Sequence, residues 1–174
     1  MNFKPWIRDV PDFPKPGIMF RDITPLIGHP PAFEACIDAL VERYQDQPID
    51  IIAAAEARGF IFAAPLALRL KKPFVPIRKP GKLPFHKFKF SYDLEYGSDC
   101  LELHADALKK GDRVLLVDDL LATGGTIAAC KSLAEMSGAT ITSCAFIIEL
   151  SFLNGRDKLA PCDVFSLVSY ADET

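Results

Sequence analysis

Short apolar runs alternate with amphipathic runs along most of the chain. The apolar runs have the length of strands that are buried on both faces, and the amphipathic runs have apolar residues at helical spacing. Because a strand, a helix and a second strand in that order form a parallel unit, we predict an α/β protein with a doubly wound, mostly parallel sheet flanked by helices. The predicted strands are 51–55, 74–77, 113–117, 141–148 and 164–168, and the predicted helices are 31–46, 60–70 and 126–137.

Two segments depart from this alternation. Residues 1–30 are rich in proline and glycine, which predicts an irregular, extended lead-in rather than a helix. Residues 78–97 mix basic residues with proline, glycine and aromatic residues, and structureless loops of this length are usually functional. Within them, aromatic and polar residues alternate over 88–92, which predicts a hairpin strand that pairs with 100–104. No linker or repeat divides the chain, so 1–174 is predicted to be one domain.

The stretch 114–126 carries the strongest indication of chemistry. Its apolar strand is followed by Asp118 and Asp119, and a loop rich in glycine and threonine then leads into a helix. This order builds an anion pocket at a helix N-terminus. Two carboxylates beside an anion site indicate that the ligand also carries hydroxyl groups or Mg²⁺. The loop has no lysine and no GxGxxG spacing, which excludes a Walker A loop and argues against a dinucleotide site.

Three loops follow predicted strands at their carboxyl ends, namely 56–59, 78–97 and 118–126. In doubly wound sheets, ligands bind beyond the carboxyl ends of the strands. All three loops carry charged residues or glycine. We therefore expect the three loops to meet at one site.

The composition and charge of the chain argue against a nucleic-acid-binding, a membrane-spanning and a secreted protein. The net charge of −3 gives no indication of bulk nucleic-acid binding, and no apolar run reaches the length of a membrane span, about 18 residues. The N-terminus lacks the basic and apolar regions of a signal peptide. The five cysteines form no CxxC pair and lie within or beside apolar segments, which is typical of reduced, buried thiols in a cytoplasmic protein.

The stretch 114–126 resembles the phosphoribosyl-pyrophosphate motif of the type I phosphoribosyltransferases. In that family the acid pair contacts ribose hydroxyls, and the loop after it holds the 5′-phosphate. The resemblance therefore implies that Asp118 and Asp119 contact the ribose. It also implies a 5′-phosphate site made of Ala122, Thr123, Gly124, Gly125 and Thr126.

Further segments resemble the adenine-specific members of this family: 11–14 with 16–25, 56–60, 77–84 and 92–97. They imply the conversion of adenine and phosphoribosyl pyrophosphate to AMP and pyrophosphate in purine salvage. Mg²⁺ is the implied cofactor, held mainly by substrate and water rather than by the protein. The resemblance also implies a homodimer, a hood of residues 1–30 that binds the base, and a flexible catalytic flap over 78–97.

The same resemblance assigns roles to single residues. Glu95 carries the chemistry, with Tyr96 beside it in the flap. From the sequence alone, an exposed loop acid describes Glu95 better, plain packing describes Leu150 better, and Phe20 suits a core position as well as a stacking face. The implied base-binding residues are Met19, Phe20, Arg21 and Leu150, and the implied pyrophosphate-binding residues are Arg58, Arg78, Lys79 and Lys82.

Two other functions compete with this interpretation. One is a phosphoribosyltransferase for a 6-oxo purine such as xanthine, whose base would favour a lysine or aspartate where this chain has Leu150. The other is a regulator that binds phosphoribosyl pyrophosphate without turning it over. A DNA-binding regulator of this kind would add a basic helix-turn-helix domain, for which we see no candidate segment.

Overall fold

A computed structural model describes residues 1–93 and 98–173. Its larger elements follow the predicted alternation of strands and helices. The strands are β1 Arg8–Val10, β2 Phe20–Asp22, β3 Ile51–Ala55, β4 Phe74–Ile77, β5 Lys87–Asp93, β6 Ser98–His104, β7 Arg113–Leu121, β8 Thr140–Leu150 and β9 Asp163–Tyr170. The α-helices are α1 Thr24–Ile27, α2 Pro30–Tyr44, α3 Gly59–Leu70 and α4 Gly125–Glu135, and 3₁₀ turns cover Lys4–Trp6, Ser151–Leu153 and Gly155–Leu159.

Five parallel strands form the central sheet in the order β4-β3-β7-β8-β9. The register between β3 and β7 pairs Ile51 with Val114 and Ala54 with Val117. Every residue of β3 is buried, as expected for a parallel strand that is covered on both faces. The predicted α/β class and the parallel sheet are confirmed.

Helices cover both faces of the sheet. On one face, side chains of α2 and α3 such as Leu40 and Phe62 pack with Ile52 and Leu115 in one apolar cluster. On the other face, α4 packs through Leu133 and its neighbours into a second cluster. Because α3 and α4 lie on opposite faces, the chain leaves β3 and the adjacent β7 in opposite directions. This arrangement opens a cleft at the carboxyl ends of these two strands.

The hairpin predicted within 78–97 is present. Strands β5 and β6 pair antiparallel, with Lys87 opposite His104, and they form a separate two-stranded sheet. The hairpin packs on the α4 side of the molecule, where Leu101 and Leu103 are fully buried. None of the helices in the described residues is long and apolar enough to cross a membrane.

Three boundaries differ from the predictions. The lead-in is not purely irregular, since β1 and β2 pair antiparallel around the proline-rich turn and α1 follows them. Strand β7 continues to Leu121, through the two acids, because β8 runs alongside it and pairs Leu121 with Glu149. Helix α4 ends at Glu135, and Gly138, with φ of +79°, lies a little beyond this end in the left-handed region.

Candidate functional site

A cavity lies where β3 and β7 end side by side. Its volume is about 440 Å³, and it is lined by the two loops that follow these strands. Predicted loops 56–59 and 118–126 therefore meet at one place. The lining residues are Glu56, Ala57, Arg58, Asp118, Asp119, Leu120, Leu121, Ala122, Thr123, Gly124, Gly125, Thr126 and Ile127.

The backbone at Gly155 packs closely behind the loop Ala122–Thr126, which we call the phosphate loop after its predicted role. Gly124 has φ of +78°, a left-handed conformation that favours glycine, and α4 starts at the next residue. A Cβ atom on Gly124 would lie 2.5 Å from the carbonyl oxygen of Gly155, and one on Gly155 would lie 2.2 Å from that of Ala122. The turn at Gly155 thus backs the loop directly. The sequence shows Asn154-Gly155 only as a turn, so this contact was not predicted.

The N-terminus of α4 faces the cavity. The first backbone N–H groups of a helix have no partners within the helix, and the helix dipole places partial positive charge there. Gly125, Thr126 and Ile127 form the first turn of α4, and all three line the cavity. This end of the cavity is suited to a phosphate group.

Of the two acids at the other side of the cavity, Asp119 is buried and Asp118 is half-buried. Asp119 is 5 % exposed, and its backbone N–H donates to Oδ1 of Asp118 at 2.9 Å. Burial, and then the neighbouring charge of Asp119, raise the pKa of Asp118 well above its ordinary value. Burial also raises the pKa of Asp119, although Arg58 opposes this shift. Two carboxylates with raised pKa values favour a ligand that supplies hydroxyl donors or a cation.

Arg58 and Gly59 bring the end of β3 against this acid pair. Nε of Arg58 lies 3.0 Å from Oδ2 of Asp119. A Cβ atom on Gly59 would lie 2.9 Å from Oδ1 of Asp118, so glycine lets the start of α3 approach the acids closely. The peptide bond between Glu56 and Ala57 is cis. Arg58, predicted to contact an anion, therefore already holds a carboxylate at the cavity.

The basic residues that follow β4 are also paired with acids. Nε and Nη2 of Arg78 donate to Oε2 of Glu56 at 2.9 and 2.8 Å, and the backbone N–H of Lys79 donates to Oε1 at 2.5 Å. The ammonium group of Lys79 pairs with Asp99, while Lys82 is exposed. Partial burial acts to raise the pKa of Glu56, but the bonds from Lys79 and Arg78 outweigh it and lower the pKa.

Two acids of this network were missed from the sequence. Glu56 follows β3 directly, within a loop that was predicted to join the site, so its position was a usable signal. Asp99 lies opposite Tyr92 in the hairpin, and its contact with Lys79 depends on how the hairpin packs. Periodicity along the chain carries no information about that packing.

Tyr92 places the hairpin beside the phosphate loop. Its hydroxyl donates to Oδ2 of Asp99 at 3.3 Å. Burial raises the pKa of Tyr92, and a hydrogen bond with Thr126 opposes that rise. None of the described residues of the third predicted loop lines the cavity, and Arg78, Lys79 and Lys82 therefore lie outside its lining. Arg78 and Lys79 adjoin the cavity through Glu56, which does line it. Glu95 and Tyr96 lie outside the described residues.

A second, smaller cavity of about 200 Å³ lies beside the N-terminal segment. Of the four predicted base-binding residues, three line it: Met19, Arg21 and Leu150. Phe20 does not line it. Instead the Phe20 ring packs edge-on against Phe13, with 5.0 Å between ring centroids, and the guanidinium carbon of Arg58 lies 5.4 Å from its centroid.

Arg21 is an anchor of the N-terminal segment. Its buried side chain pairs with Asp9, stacks 3.9 Å over the ring of Tyr170 and donates to the carbonyl oxygen of Glu173 at 3.2 Å. These contacts tie β1 and β2 to the end of β9. The backbone of Met19 and Arg21 is thereby fixed beside Leu150.

Comparison with known proteins agrees with this geometry. The model of the phosphoribosyl transferase domain matches residues 26–165. The chain belongs to the phosphoribosyltransferase family. Among phosphoribosyltransferases, the adenine phosphoribosyltransferase of Rhodopirellula baltica is 55% identical over 173 residues, which cover 99% of this chain and 84% of that relative.

Solved phosphoribosyltransferase structures share the whole fold. The adenine phosphoribosyltransferase of Thermoanaerobacter pseudethanolicus superposes with a TM-score of 0.94 at 52% identity, covering 97% of this chain and 98% of that one. The Saccharomyces cerevisiae adenine phosphoribosyltransferase, complexed with an imino-altritol bisphosphate and adenine, gives 0.89 at 43% identity, covering 95% and 96%. The predicted type I phosphoribosyltransferase-like fold is confirmed.

Proposed function

We propose that this phosphoribosyltransferase converts adenine and 5-phosphoribosyl-1-pyrophosphate to AMP and pyrophosphate in purine salvage. One observation carries the proposal: a pair of adjacent acids with raised pKa values and a glycine-rich helix N-terminus face each other across one cavity. A phosphorylated sugar offers both groups that this cavity favours, hydroxyls and a phosphate. The names of the relatives support adenine as the acceptor.

The donor occupies the larger cavity in this proposal. Backbone N–H groups of Ala122–Thr126 and the hydroxyls of Thr123 and Thr126 bind the 5′-phosphate. Asp118 and Asp119 accept hydrogen bonds from the ribose hydroxyls. Ribose hydroxyls compensate for burial of the acids, which otherwise raises their pKa values.

Pyrophosphate leaves next to the cations. We assign its binding to Arg58, Arg78, Lys79 and Lys82, which neutralise the charge that develops as the bond to C1′ breaks. Arg58 is paired with Asp119, Arg78 is paired with Glu56, and Lys79 is paired with Asp99. Pyrophosphate therefore replaces carboxylates as the partner of these cations.

Mg²⁺ is the cofactor we propose. The donor set at the cavity consists of carboxylate oxygens, which suit a hard divalent cation. Asp118 and Asp119 would bind the ion through its water shell, while the substrate supplies the remaining ligands. Bound Mg²⁺ neutralises negative charge on the pyrophosphate group.

Adenine lies on the N-terminal side of the donor. Leu150 packs on one face of the base and Phe20 on the other, and the backbone of Met19 and Arg21 provides a hydrogen-bond donor and acceptor. The cavity that Met19, Arg21 and Leu150 share supports this assignment. So does Arg58, which lies between the Phe20 ring and Asp119 and so links the base side to the donor side.

Glu95 is proposed to carry the chemistry, with Tyr96 beside it. Transfer at C1′ passes through an oxocarbenium-like state, which a carboxylate stabilises, and the same group can manage the proton that adenine loses. Residues 78–97 act as the flap that excludes water from the activated sugar. Tyr92 of the hairpin packs against the apolar cluster that includes Ile127, a residue of the cavity lining, which supports a flap beside the cavity.

We also propose that the chain is one domain that forms a homodimer in the cytoplasm. All five cysteines are free thiols, which supports a reducing compartment. The homodimer is the assembly that the resemblance to the adenine-specific members of the family implies.

A purine panel tests the proposal. The purified protein is incubated with Mg²⁺, phosphoribosyl pyrophosphate and each of adenine, hypoxanthine, guanine and xanthine, and nucleotide products are separated by chromatography. We expect AMP from adenine and no other nucleotide. IMP or XMP at a comparable rate would overturn the choice of adenine. Binding of phosphoribosyl pyrophosphate without any nucleotide would favour the regulator.

A further inference from the structure

A buried carboxylate lies near the carboxyl end of β8, beside the strand that carries the two acids of the candidate site. Glu149 of β8 is 3 % exposed and pairs in register with Leu121 of β7 and Ser169 of β9. A buried charge at such a position is costly unless it is paired and hydrogen-bonded. The assigned functions of the site do not use Glu149.

Arg156 satisfies this carboxylate from the following turn. Its Nε and Nη2 donate to Oε1 and Oε2 of Glu149 at 2.5 and 2.6 Å, in a bidentate fork. Nη1 donates to the carbonyl oxygen of Val164 at 2.7 Å, and Ser166 donates to Oε2 of Glu149 at 2.5 Å. The bond from Arg156 is the main reason that the pKa of Glu149 lies below its ordinary value. The guanidinium group thus ties the turn to β8 and β9.

The residue before Arg156 is the glycine that backs the phosphate loop. The approach of Gly155 to Ala122 and Gly124 is too close for any Cβ atom. The turn itself is a short 3₁₀ segment, Gly155–Leu159, and it follows Asn154 in a left-handed conformation. Short 3₁₀ segments have poorer hydrogen-bond geometry than α-helices, so the position of this turn depends on side-chain anchors.

Only two side chains of the turn provide such anchors among the described contacts. Leu159 is fully buried at its far end, and Arg156 fixes the end next to Gly155. The strand residues on either side of the turn are held independently. Leu150, for example, pairs with Tyr170 in the sheet. Loss of the fork should therefore move the turn and the phosphate loop, and leave Leu150 in place.

We propose that the Glu149–Arg156 pair is a positioning device for the 5′-phosphate of the donor. It holds Gly155 behind the phosphate loop and so fixes the backbone N–H groups that meet the phosphate. This inference rests on the proposed function. It adds two positioning residues, neither of which contacts the substrate.

The variants Arg156→Gln and Glu149→Gln test the inference, because they should change the KM for phosphoribosyl pyrophosphate but not the KM for adenine. Each should raise the KM for phosphoribosyl pyrophosphate about tenfold, since small displacements of binding groups have effects of this order. The KM for adenine at saturating donor should stay within about twofold, because sheet pairing holds Leu150. The dissociation constant of ribose 5-phosphate, measured by calorimetry, should rise in parallel. A merely structural role would lower the melting temperature and the active fraction without changing these constants.

Arg69→Gln is the matched control. The side chains of Arg69 and Arg156 are similarly exposed, at 48 % and 47 %. Arg69 pairs at 2.7 Å with Asp38, a residue of α2 that does not line the cavity. Its substitution should leave both KM values unchanged. Arg156→Lys keeps the charge but loses the fork, so we expect a KM between those of the wild type and Arg156→Gln.

The outcomes separate the two proposals. A wild-type protein that forms no AMP contradicts the proposed function. An active wild type with an unchanged donor KM in Arg156→Gln overturns the positioning role alone. If Arg156→Gln does not fold, Arg156→Lys decides, and a wild-type affinity for ribose 5-phosphate in that variant also overturns the role.

Discussion

The cavity that we propose for the donor and the hairpin β5–β6 are neighbours, but their acidic side chains have pKa values shifted in opposite directions. In the cavity, Asp119 is buried and Asp118 is half-buried, and the pKa values of both are raised. On the hairpin side, Lys79 pairs with Asp99, and the pKa of Asp99 lies below its ordinary value although partial burial opposes this. The protein therefore holds the two carboxylates of the cavity at a cost in free energy, whereas the Lys79–Asp99 pair favours the charged forms of both of its members.

This difference follows from the supporting structure. The acids of the cavity extend from β7, a central strand of a five-stranded sheet, so their positions are set by the core. The hairpin is a separate two-stranded sheet, and Asp99 joins it to the segment after β4 through an ion pair with Lys79. A sheet can hold unfavourable charges in place for a substrate, while a hairpin can exchange one set of partners for another. We therefore expect variants in the cavity to affect donor binding and variants in the flap to affect turnover.

The largest expected effect belongs to the flap. Glu95→Gln should lower kcat by about 10²–10⁴-fold, the usual contribution of a positioned acid or base, and change the KM for adenine much less. Steady-state kinetics with both substrates saturating measures this. Glu34→Gln, which makes the same change at an exposed position of α2, is the control and should have wild-type kinetics. A near-normal kcat in Glu95→Gln would remove this residue from the chemistry.

The next effect tests the cavity. Gly124→Ala places a Cβ atom 2.5 Å from the carbonyl oxygen of Gly155, so the phosphate loop must shift. The KM for phosphoribosyl pyrophosphate should rise roughly 100-fold, as expected for a displacement near 1 Å. Gly111→Ala is a matched control, because Gly111 also has a positive φ, +90°, does not line the cavity, and has no atom within 4 Å of the added Cβ. Equal effects of the two substitutions would mean that backbone strain, and not contact with Gly155, is responsible.

Asp118→Asn should weaken donor binding and stabilise the fold. A raised carboxyl pKa contributes stability that is present below the unfolded-state pKa, near 3.8, and is lost as the pH rises through the folded-state pKa. The amide avoids this loss at neutral pH. The melting temperature should rise by a few degrees, since 1 kcal/mol corresponds to about 2–4 °C in a chain of this size.

The donor KM of Asp118→Asn should rise about tenfold, through loss of a charged hydrogen bond to the ribose. Calorimetric melting at pH 7 and at pH 4 should show the stabilisation at pH 7 and a smaller one at pH 4. A destabilised variant at pH 7 would contradict the raised pKa of Asp118, and an unchanged donor KM would contradict the contact with ribose.

The smallest expected effect is at the ion pair between Lys79 and Asp99, in which pyrophosphate would replace Asp99 as the partner of Lys79. Asp99→Asn weakens the hold on Lys79, so the KM for pyrophosphate in the reverse reaction should fall about threefold, within the range of a partly exposed ion pair. Asp38→Asn, which removes the exposed partner of Arg69, is the control. A higher KM for pyrophosphate in Asp99→Asn would show that Asp99 positions Lys79 rather than competing for it.

The same contrast explains how much the sequence predicts. Buried parallel strands are apolar runs, so β3 and β4 were predicted to the residue and the loops that follow β3 and β7 could be placed at one site. The continuation of β7 through Asp118 and Asp119 was not predicted, because two acids interrupt the apolar pattern. The β1–β2 hairpin was also missed, since proline and glycine in 1–30 mask a short pairing.

Contacts between distant elements lie beyond the sequence patterns. The ion pairs of Arg58, Arg78 and Lys79, and the approach of Gly155 to the phosphate loop, depend on how elements pack rather than on spacing along the chain. The resemblance to a known family named the residues of the site. It did not show that Arg58, Arg78 and Lys79 are already bound to carboxylates.

A crystal structure of the protein with AMP and Mg²⁺ tests the central claim most directly. The account predicts the 5′-phosphate within hydrogen-bond distance of the backbone N–H groups of Ala122–Thr126, with ribose hydroxyls on Asp118 and Asp119. It predicts the base between Phe20 and Leu150. A phosphate bound away from the N-terminus of α4, or a ribose with no contact to the two acids, would contradict the account.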